Sequence, residues 1–258
     1  MTSEMKATGR RPKLHQFGNN AFAVIGLYHP CGSVNAGFIL TGRSIVHIDA
    51  GMRLADGRYL LELSAKLAPG REKLYLILTH HHTDHIFGMR AFREQGAKVI
   101  GHRLLAEWIE EFWLKPGKSV EEIYKEKVLS GGEPSGDEKT FLPEVELFPP
   151  DEAIEGDTVL NIDGEEIHLL YTPGHVPSEI SVYHPASKVL FAGDAIYAGT
   201  PPTTRFGGPG EWREWIESIE MLRKLEIGAI VPGHGEICGT DEMEKNIAYL
   251  QKLLKTCR

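Results

Sequence analysis

The segment that most constrains the fold is a run of histidines that directly follows an apolar stretch. KLYLILT, residues 73–79, is apolar enough to form a strand that is buried on both faces of a sheet. HHHTDH follows at once, at residues 80–85. Because open sheets place ligands outside the carboxyl ends of their strands, this position suits a binding site. Histidine is also the commonest metal-binding side chain, so the cluster predicts a metal centre.

The spacing within the cluster indicates which side chains bind metal. Alternate side chains of an extended segment point the same way, so His80 and His82 are expected to reach one ion. Asp84 and His85 follow where the chain turns into a helix, and they are expected to reach a second ion beside the first. His81 points the opposite way, and we do not expect it to be a ligand.

Four further polar residues stand at the ends of apolar runs, each beside glycines that permit a tight turn. They are Asp49 in IVHIDAG, His175 in LLYTPGH, Asp194 in VLFAGD and His234 in AIVPGHG. Without Asp49, the other three and the first cluster supply seven donors: His80, His82, Asp84, His85, His175, Asp194 and His234. A single catalytic zinc takes about three protein ligands, so seven donors suit two metals, with the Asp194 carboxylate as the natural bridge.

This donor set also predicts a type of chemistry. Two metals about 3.5–4 Å apart would hold a water between them and lower its pKa towards ~7, so that hydroxide becomes the nucleophile. We expect two divalent ions, zinc first, with Fe(II) or Mn(II) as alternatives that nitrogen and oxygen donors do not exclude. The three cysteines form no CxxC pair, so neither a thiolate zinc site nor a disulfide framework is expected. A non-catalytic binding protein is disfavoured because every donor position is filled.

The rest of the chain predicts two halves in which strands are followed by helices. Short apolar runs indicate strands at 21–29, 34–40, 44–49, 97–101, 158–162, 165–172, 179–184 and 188–194. Helices are expected at 59–67, 86–95, 211–225 and 241–255. Residues 102–129 indicate two helices broken at Pro116, and 130–140 a mobile loop, so 102–150 is interpreted as an insertion. The pattern suits two sheets packed face to face with helices outside.

Charge and the N-terminus limit the partners. The formal net charge of −8 is spread along the chain without a Lys/Arg stripe, which argues against nucleic acid. No apolar run approaches the roughly 20 residues of a membrane span, and the polar N-terminus does not look like a signal peptide. We therefore expect a disordered tail over 1–13, a single domain over 14–258, a cytoplasmic location and a small-molecule substrate. A homodimer that pairs through the insertion helices is an alternative use of that segment.

The ligand residues resemble those of the metallo-β-lactamase superfamily. The match consists of His80-x-His82-x-Asp84-His85, His175, Asp194 and His234, with Asp49 as the leading acid. The resemblance implies an α/β fold, a four-layer αβ/βα sandwich with a binuclear site at one edge.

The same resemblance implies a role for each residue. His80, His82 and His175 would bind the first metal, Asp84, His85 and His234 the second, and Asp194 would bridge them. Asp84 would also be catalytic, because it would orient the nucleophile and move protons. Asp49 would either support the ligand segment from outside or serve as a turn residue.

The resemblance also narrows the reaction. True β-lactamases of the superfamily lack a bridging aspartate, whereas glyoxalase II-like thioesterases, lactonases and sulfur dioxygenases carry one. In the lactonases a tyrosine three residues later contacts the substrate carbonyl. Tyr197 fits that position, either as a catalytic residue or as a rim tyrosine without a catalytic duty. We expect hydrolysis of a lactone first, with tolerance of phosphotriesters and other esters. A glyoxalase II-like thioesterase and a mononuclear iron sulfur dioxygenase are the alternatives.

Substrate contacts are expected from three parts of the chain. Tyr28 and His29 lie in the first hairpin, Trp108 and Trp113 in the insertion, and Arg205 in a Gly/Pro-rich loop. These residues predict a mostly apolar mouth that suits an acyl chain or an aromatic ester. Arg205 would either bind an anionic group of the substrate or pair with a surface acid.

Overall fold

Two β-sheets position the candidate ligands, and the computed structural model describes them within residues 12–256. The first sheet has seven strands in chain order: β1 Lys13–Phe17, β2 Ala21–His29, β3 Gly32–Leu40, β4 Ser44–Ile48, β5 Lys73–Ile77, β6 Lys98–His102 and β7 Glu152–Ile154. Strands β1 to β4 run antiparallel, and β4 to β7 are parallel. The parallel half explains why KLYLI is apolar on both faces, since parallel strands are covered on both sides.

The second sheet has five strands in the order β12-β11-β10-β9-β8. Their bounds are β8 Thr158–Ile162, β9 Glu165–Tyr171, β10 Ile180–His184, β11 Val189–Gly193 and β12 Ala229–Pro232. All neighbours are antiparallel except β11 and β12, which are parallel.

Helices cover the outer faces of both sheets. The α-helices are α1 Leu54–Leu67, α2 Thr83–Ile86, α3 Arg90–Glu94, α4 Arg103–Trp108, α5 Val120–Ile123, α6 Gly136–Phe141, α7 Pro209–Leu222 and α8 Asp241–Thr256. Short 3₁₀ turns occupy Phe87–Met89 and Leu142–Glu144. Two π-helical stretches, Ile109–Trp113 and Tyr124–Val128, extend α4 and α5.

Three apolar clusters define four layers. Side chains from both sheets, such as Ile77 and Phe191, pack between them. Leu60 and Phe92 of α1 and α3 pack on the outer face of the first sheet. Trp215 of α7 and Leu250 of α8 pack on the outer face of the second. The expected αβ/βα sandwich is therefore confirmed.

The insertion differs in one respect from its expected form. Two helical segments are separated at residues 114–119, as predicted around Pro116. The stretch 130–140, expected to be a mobile loop, instead contributes most of α6. Glu138 accepts a hydrogen bond from the backbone N–H of Ser135 at 2.6 Å, which completes a capping box that begins the helix. That Ser-x-x-Glu signal was present in the sequence, but the surrounding glycines and proline obscured it.

Most of the expected tail, residues 1–13, lies outside the described residues, although Lys13 already begins β1. Within residues 12–256, no helix is long and apolar enough to span a membrane.

Candidate metal centre

The seven predicted ligands meet at one edge of the sandwich. They follow the carboxyl ends of β5, β9, β11 and β12, where parallel and antiparallel strands end side by side. Their donor atoms form two groups in which every atom lies within 4.8 Å of the others. One group is His80, His82, His175 and Asp194; the other is Asp84, His85 and His234.

Three imidazoles converge in the first group. Nδ1 of His82 lies 3.1 Å from Nε2 of His80 and 3.0 Å from Nε2 of His175. Burial lowers the pKa of all three side chains below that of ordinary histidine, so the rings are neutral. Neutral imidazoles each offer a lone pair, and three of them match the ligand set of a catalytic zinc site.

The carboxylate of Asp194 lies between the two groups. Its Oδ2 is 3.3 Å from Nε2 of His175 in the first group. Its Oδ1 is 3.5 Å from Nε2 of His85 and 3.5 Å from Nε2 of His234 in the second. Asp84 completes the second group, with Oδ2 at 3.2 Å from His234 Nε2. One oxygen of Asp194 therefore faces each group, which is the placement that a bridging ligand requires.

The donors fit divalent cations in chemistry as well as in position. Among the described residues, His85 Nε2 and Asp194 Oδ1 are buried side-chain atoms without a hydrogen-bond partner. A buried polar atom left unpaired is costly unless another species satisfies it. Burial alone would lower the pKa of His234, yet the carboxylates of Asp194 and Asp84 raise it to about 11. The site thus concentrates negative charge where metal ions are expected, although the donor types do not select one metal.

Asp49 and Glu179 are buried acids that contact the candidate ligands without belonging to either donor group. Asp49 accepts hydrogen bonds from the backbone N–H of Thr79 at 2.8 Å and from Nδ1 of His85 at 2.7 Å. Glu179 accepts one from the backbone N–H of Asp194 at 3.0 Å, and its Oε2 lies 3.4 Å from Nδ1 of His80. The sequence reasoning found Asp49 but missed Glu179. The available signal was an acid at the start of the apolar strand β10, four residues after His175.

Two glycines allow Asp194 to approach this closely. Gly193 has a φ of +54°, and a Cβ there would overlap Oε1 of Glu179. A Cβ on Gly233 would overlap Oδ1 of Asp194. The glycines beside the strand-end residues therefore serve the close packing of the site rather than only the turns.

His81 and Tyr197 lie next to the ligands without joining either group. Nδ1 of His81 is 2.7 Å from Oγ of Ser178, and its ring stacks on Trp108 with centroids 4.3 Å apart. The side chain is buried and lies outside both donor groups. The hydroxyl of Tyr197 donates a hydrogen bond to Oδ2 of Asp194 at 2.6 Å.

A cavity of about 1110 Å³ opens over Asp84, Asp194 and His234. Four of the five predicted substrate contacts line it: His29, Trp108, Trp113 and Arg205. Nε2 of His29 lies 3.9 Å from Oδ2 of Asp84. The structure places Tyr28 elsewhere, because its side chain is buried and its hydroxyl donates to Asp137 at 3.3 Å. A direct contact between Tyr28 and the substrate would require the insertion to move.

Comparison with known proteins agrees with this geometry. Residues 29–234 match the model of the metallo-beta-lactamase superfamily. A Bacillus subtilis protein named "Probable metallo-hydrolase YqgX" is 28% identical over 169 residues, which cover 64% of this chain and 70% of the relative. The hydroxyacylglutathione hydrolase GloC of Haemophilus influenzae is 28% identical over 179 residues, covering 68% and 74%.

Solved structures show the same fold at lower identity. A metallo-beta-lactamase from Pontibacter korlensis aligns with a TM-score of 0.69 at 20% identity, over 93% of this chain and 99% of that one. The family match spans both ligand groups and most of the chain. This chain therefore belongs to the metallo-beta-lactamase superfamily.

Proposed function

We propose that this chain is a binuclear metal-dependent hydrolase of ester-like bonds, with lactones as its leading substrate class. The observation that carries the proposal is the Asp194 carboxylate, which presents one oxygen to each donor group. The family resemblance associates a bridging aspartate with lactonases and thioesterases rather than with true β-lactamases. His80, His82 and His175 would hold one ion, Asp84, His85 and His234 the other, and Asp194 both.

Two bound divalent ions supply Lewis acidity and make water nucleophilic at neutral pH. The remaining steps belong to side chains of the chain itself. In hydrolysis the water oxygen bonds to the acyl carbon, the bond to the leaving group breaks, and one proton moves from water to that group. Asp84 lines the cavity and, unlike Asp194, does not stand between the two donor groups, so we assign it to accept this proton and return it to the leaving group.

Tyr197 and His29 border the same reaction zone. The Tyr197 hydroxyl is a donor directed at Asp194, so it would steady that carboxylate and, by rotating, donate to a substrate oxygen. Nδ1 of His29 accepts from the backbone N–H of Cys31 at 3.1 Å, which leaves Nε2 as the protonated nitrogen of the neutral ring. That nitrogen faces Asp84 and the cavity, where it would donate to the substrate.

A thioesterase is the second candidate. Its specific support is the relative named hydroxyacylglutathione hydrolase, which is similar over 68% of this chain. Thioesters need the same nucleophile and the same proton transfer to the leaving group, so the metal centre alone does not separate them from lactones.

Proton release from a substrate panel tests the proposal directly. Metal-reconstituted protein at near-neutral pH would be given aliphatic lactones, a glutathione thioester, a phosphotriester, a phosphodiester and a β-lactam. Faster proton release from lactones would support the leading proposal. Faster release from the thioester would support the thioesterase instead. Absence of proton release from every compound, combined with oxygen uptake by iron-loaded protein, would replace both with the dioxygenase alternative.

A further inference from the structure

A row of aromatic rings crosses the wall of the cavity and passes over one of the ligands. Centroid distances along it are 4.3 Å from Phe206 to His82, 5.2 Å from His82 to His81, and 4.3 Å from His81 to Trp108. Phe112 continues the row at 4.8 Å from Trp108, with the two rings only 12° from parallel. Apart from the ligand His82, these rings are not needed to hold metal.

Two rings of this row, Trp108 and Phe206, are open to solvent. Trp108 is 38% exposed and Phe206 is 43% exposed, and Val128, which lines the same cavity, is 43% exposed. Large apolar side chains that share one exposed concave surface mark a binding site, whereas scattered ones carry no such meaning. Three such residues at a single cavity therefore point to an apolar ligand.

Local backbone structure holds the far end of the row in place. Trp108 ends α4, and Phe112 lies in the π-helical stretch Ile109–Trp113 that follows. In a π-helix each turn holds an extra residue, and such stretches occur frequently at functional sites. The ring of His81, which stacks on Trp108, is held by the 2.7 Å contact of its Nδ1 with Oγ of Ser178. Its orientation therefore does not depend on a bound ligand.

Charge differs between the two ends of the row. Glu107 and Glu111, which flank Trp108 and Phe112 in the chain, line the cavity, and Lys127 beside Val128 lines it too. Arg205 lines it at the Phe206 end, with its guanidinium 4.6 Å from the Phe206 ring centre. The two glutamates would repel an anionic group beside Trp108, whereas an uncharged apolar group can lie on the faces of the rings.

We infer that the non-reacting part of the substrate is an extended, uncharged alkyl or aryl arm that lies along the row from His82 towards Phe112. This inference rests on the proposed hydrolase function, since His82 then marks the position of the scissile bond. It specifies the substrate class further: lactones or other esters with a long apolar substituent, rather than small or highly charged esters.

The kinetic test uses a homologous series of lactones with side chains from methyl to decyl and the metal-reconstituted protein. Burial against the rings should raise kcat/KM about twofold to fourfold for each added methylene until the row is covered. Trp108→Ala and Phe112→Ala should each lower kcat/KM at least tenfold for the decyl lactone and much less for the methyl lactone. Leu114→Ala is the matched control, because Leu114 is an exposed apolar residue of the same insertion that does not line the cavity. It should leave the series unchanged.

A binding test separates this inference from the hydrolase proposal. Decanoate and butyrate would be titrated calorimetrically into metal-reconstituted wild type and the Trp108→Ala variant. Decanoate should bind at least tenfold more tightly than butyrate to wild type, and the difference should shrink in the variant. If decanoate binds more tightly in this way but the protein hydrolyses no lactone, the apolar subsite is supported and the proposed reaction is rejected. The subsite would be overturned if wild type bound the two acids equally well. It would also be overturned if Trp108→Ala lowered kcat/KM by the same factor for every lactone of the series.

Discussion

Oε2 of Glu179 lies 3.4 Å from Nδ1 of His80, while the other carboxylate oxygen accepts the backbone N–H of Asp194. One buried acid thus contacts two ligand residues at once, one through its ring and one through its backbone. Partners of this kind orient the ligand ring and tune its affinity for metal. Glu179 acts through its neighbours, so it is a positioning residue rather than a ligand.

Replacing Glu179 should therefore weaken metal binding without unfolding the protein. Glu179→Gln keeps the shape and a hydrogen-bond acceptor for the backbone N–H of Asp194, but it replaces the carboxyl oxygen that faces Nδ1 of His80 with an amide NH₂ group. We expect metal affinity to fall about 10- to 100-fold, the range typical of such outer partners. Competition with a chromophoric chelator would measure the affinity, and Glu179→Asp should recover part of it. Unchanged affinity in Glu179→Gln would reject the positioning role.

Adjacent histidines of the cluster should respond in opposite ways to substitution. His82 contributes Nδ1 to the first donor group, so His82→Ala should lose about one metal per chain and nearly all activity together. His81 lies outside both groups, so His81→Ala should retain full metal content. Elemental analysis of the two purified variants gives the comparison. Metal loss from His81→Ala would mean that the ligand assignment is wrong.

Asp84→Asn should reduce activity far more than stability. The amide preserves the size of the side chain but cannot accept the proton that leaves water, a role that contributes roughly 10²–10⁴ in rate. We expect kcat to fall at least 100-fold at saturating metal, with a small change in Tm. Asp241→Asn, an exposed acid on α8, is the control and should behave as wild type. A fully active Asp84→Asn protein would contradict the proposed proton transfer.

Tyr197→Phe distinguishes two roles of one hydroxyl. A hydrogen bond to a charged group contributes about 1.5–3 kcal/mol to the free energy of unfolding, so loss of the 2.6 Å bond from Tyr197 to Asp194 should be measurable. If the hydroxyl also contacts the substrate carbonyl, kcat for lactones should fall about tenfold while phosphotriester turnover changes less. If the hydroxyl only orients Asp194, kcat should fall by the same factor for every substrate. Metal content at saturation should match wild type in both cases, and its loss would assign the tyrosine to metal retention instead.

The sequence predicted this cluster of candidate donors because most of them follow a strand whose apolar character is visible. KLYLI, VLFAG and AIVP are strands in the structure, and His80, Asp194 and His234 follow them closely. Position at a strand end requires only local information, and the sheets then bring the ends together. The division into two groups also followed from local spacing, since residues 80 and 82 share a direction in an extended segment.

Features that depend on contacts between distant segments were not predictable in the same way. Glu179 is buried against His80 from the other sheet; an acid beside an apolar strand marks it as a candidate, but only the packing of the two sheets sets its partner. The aromatic row joins the ligand segment to α4 and to the loop that carries Phe206, which are far apart in sequence. The position in the first hairpin predicts both Tyr28 and His29 at the cavity, but successive strand residues face opposite sides, and the hydroxyl of Tyr28 contacts Asp137 of the insertion instead.

Metal stoichiometry tests the central claim most directly. Purified chain would be stripped with a chelator, dialysed against excess Zn(II), Mn(II) or Fe(II), freed of loose metal and analysed for metal per chain. We expect two ions per chain for wild type, and we expect His82→Ala to lose the ion of the first group and keep the ion of the second. One ion per wild-type chain at saturation, unaffected by substitution in the second group, would contradict a binuclear centre and the hydrolase built on it.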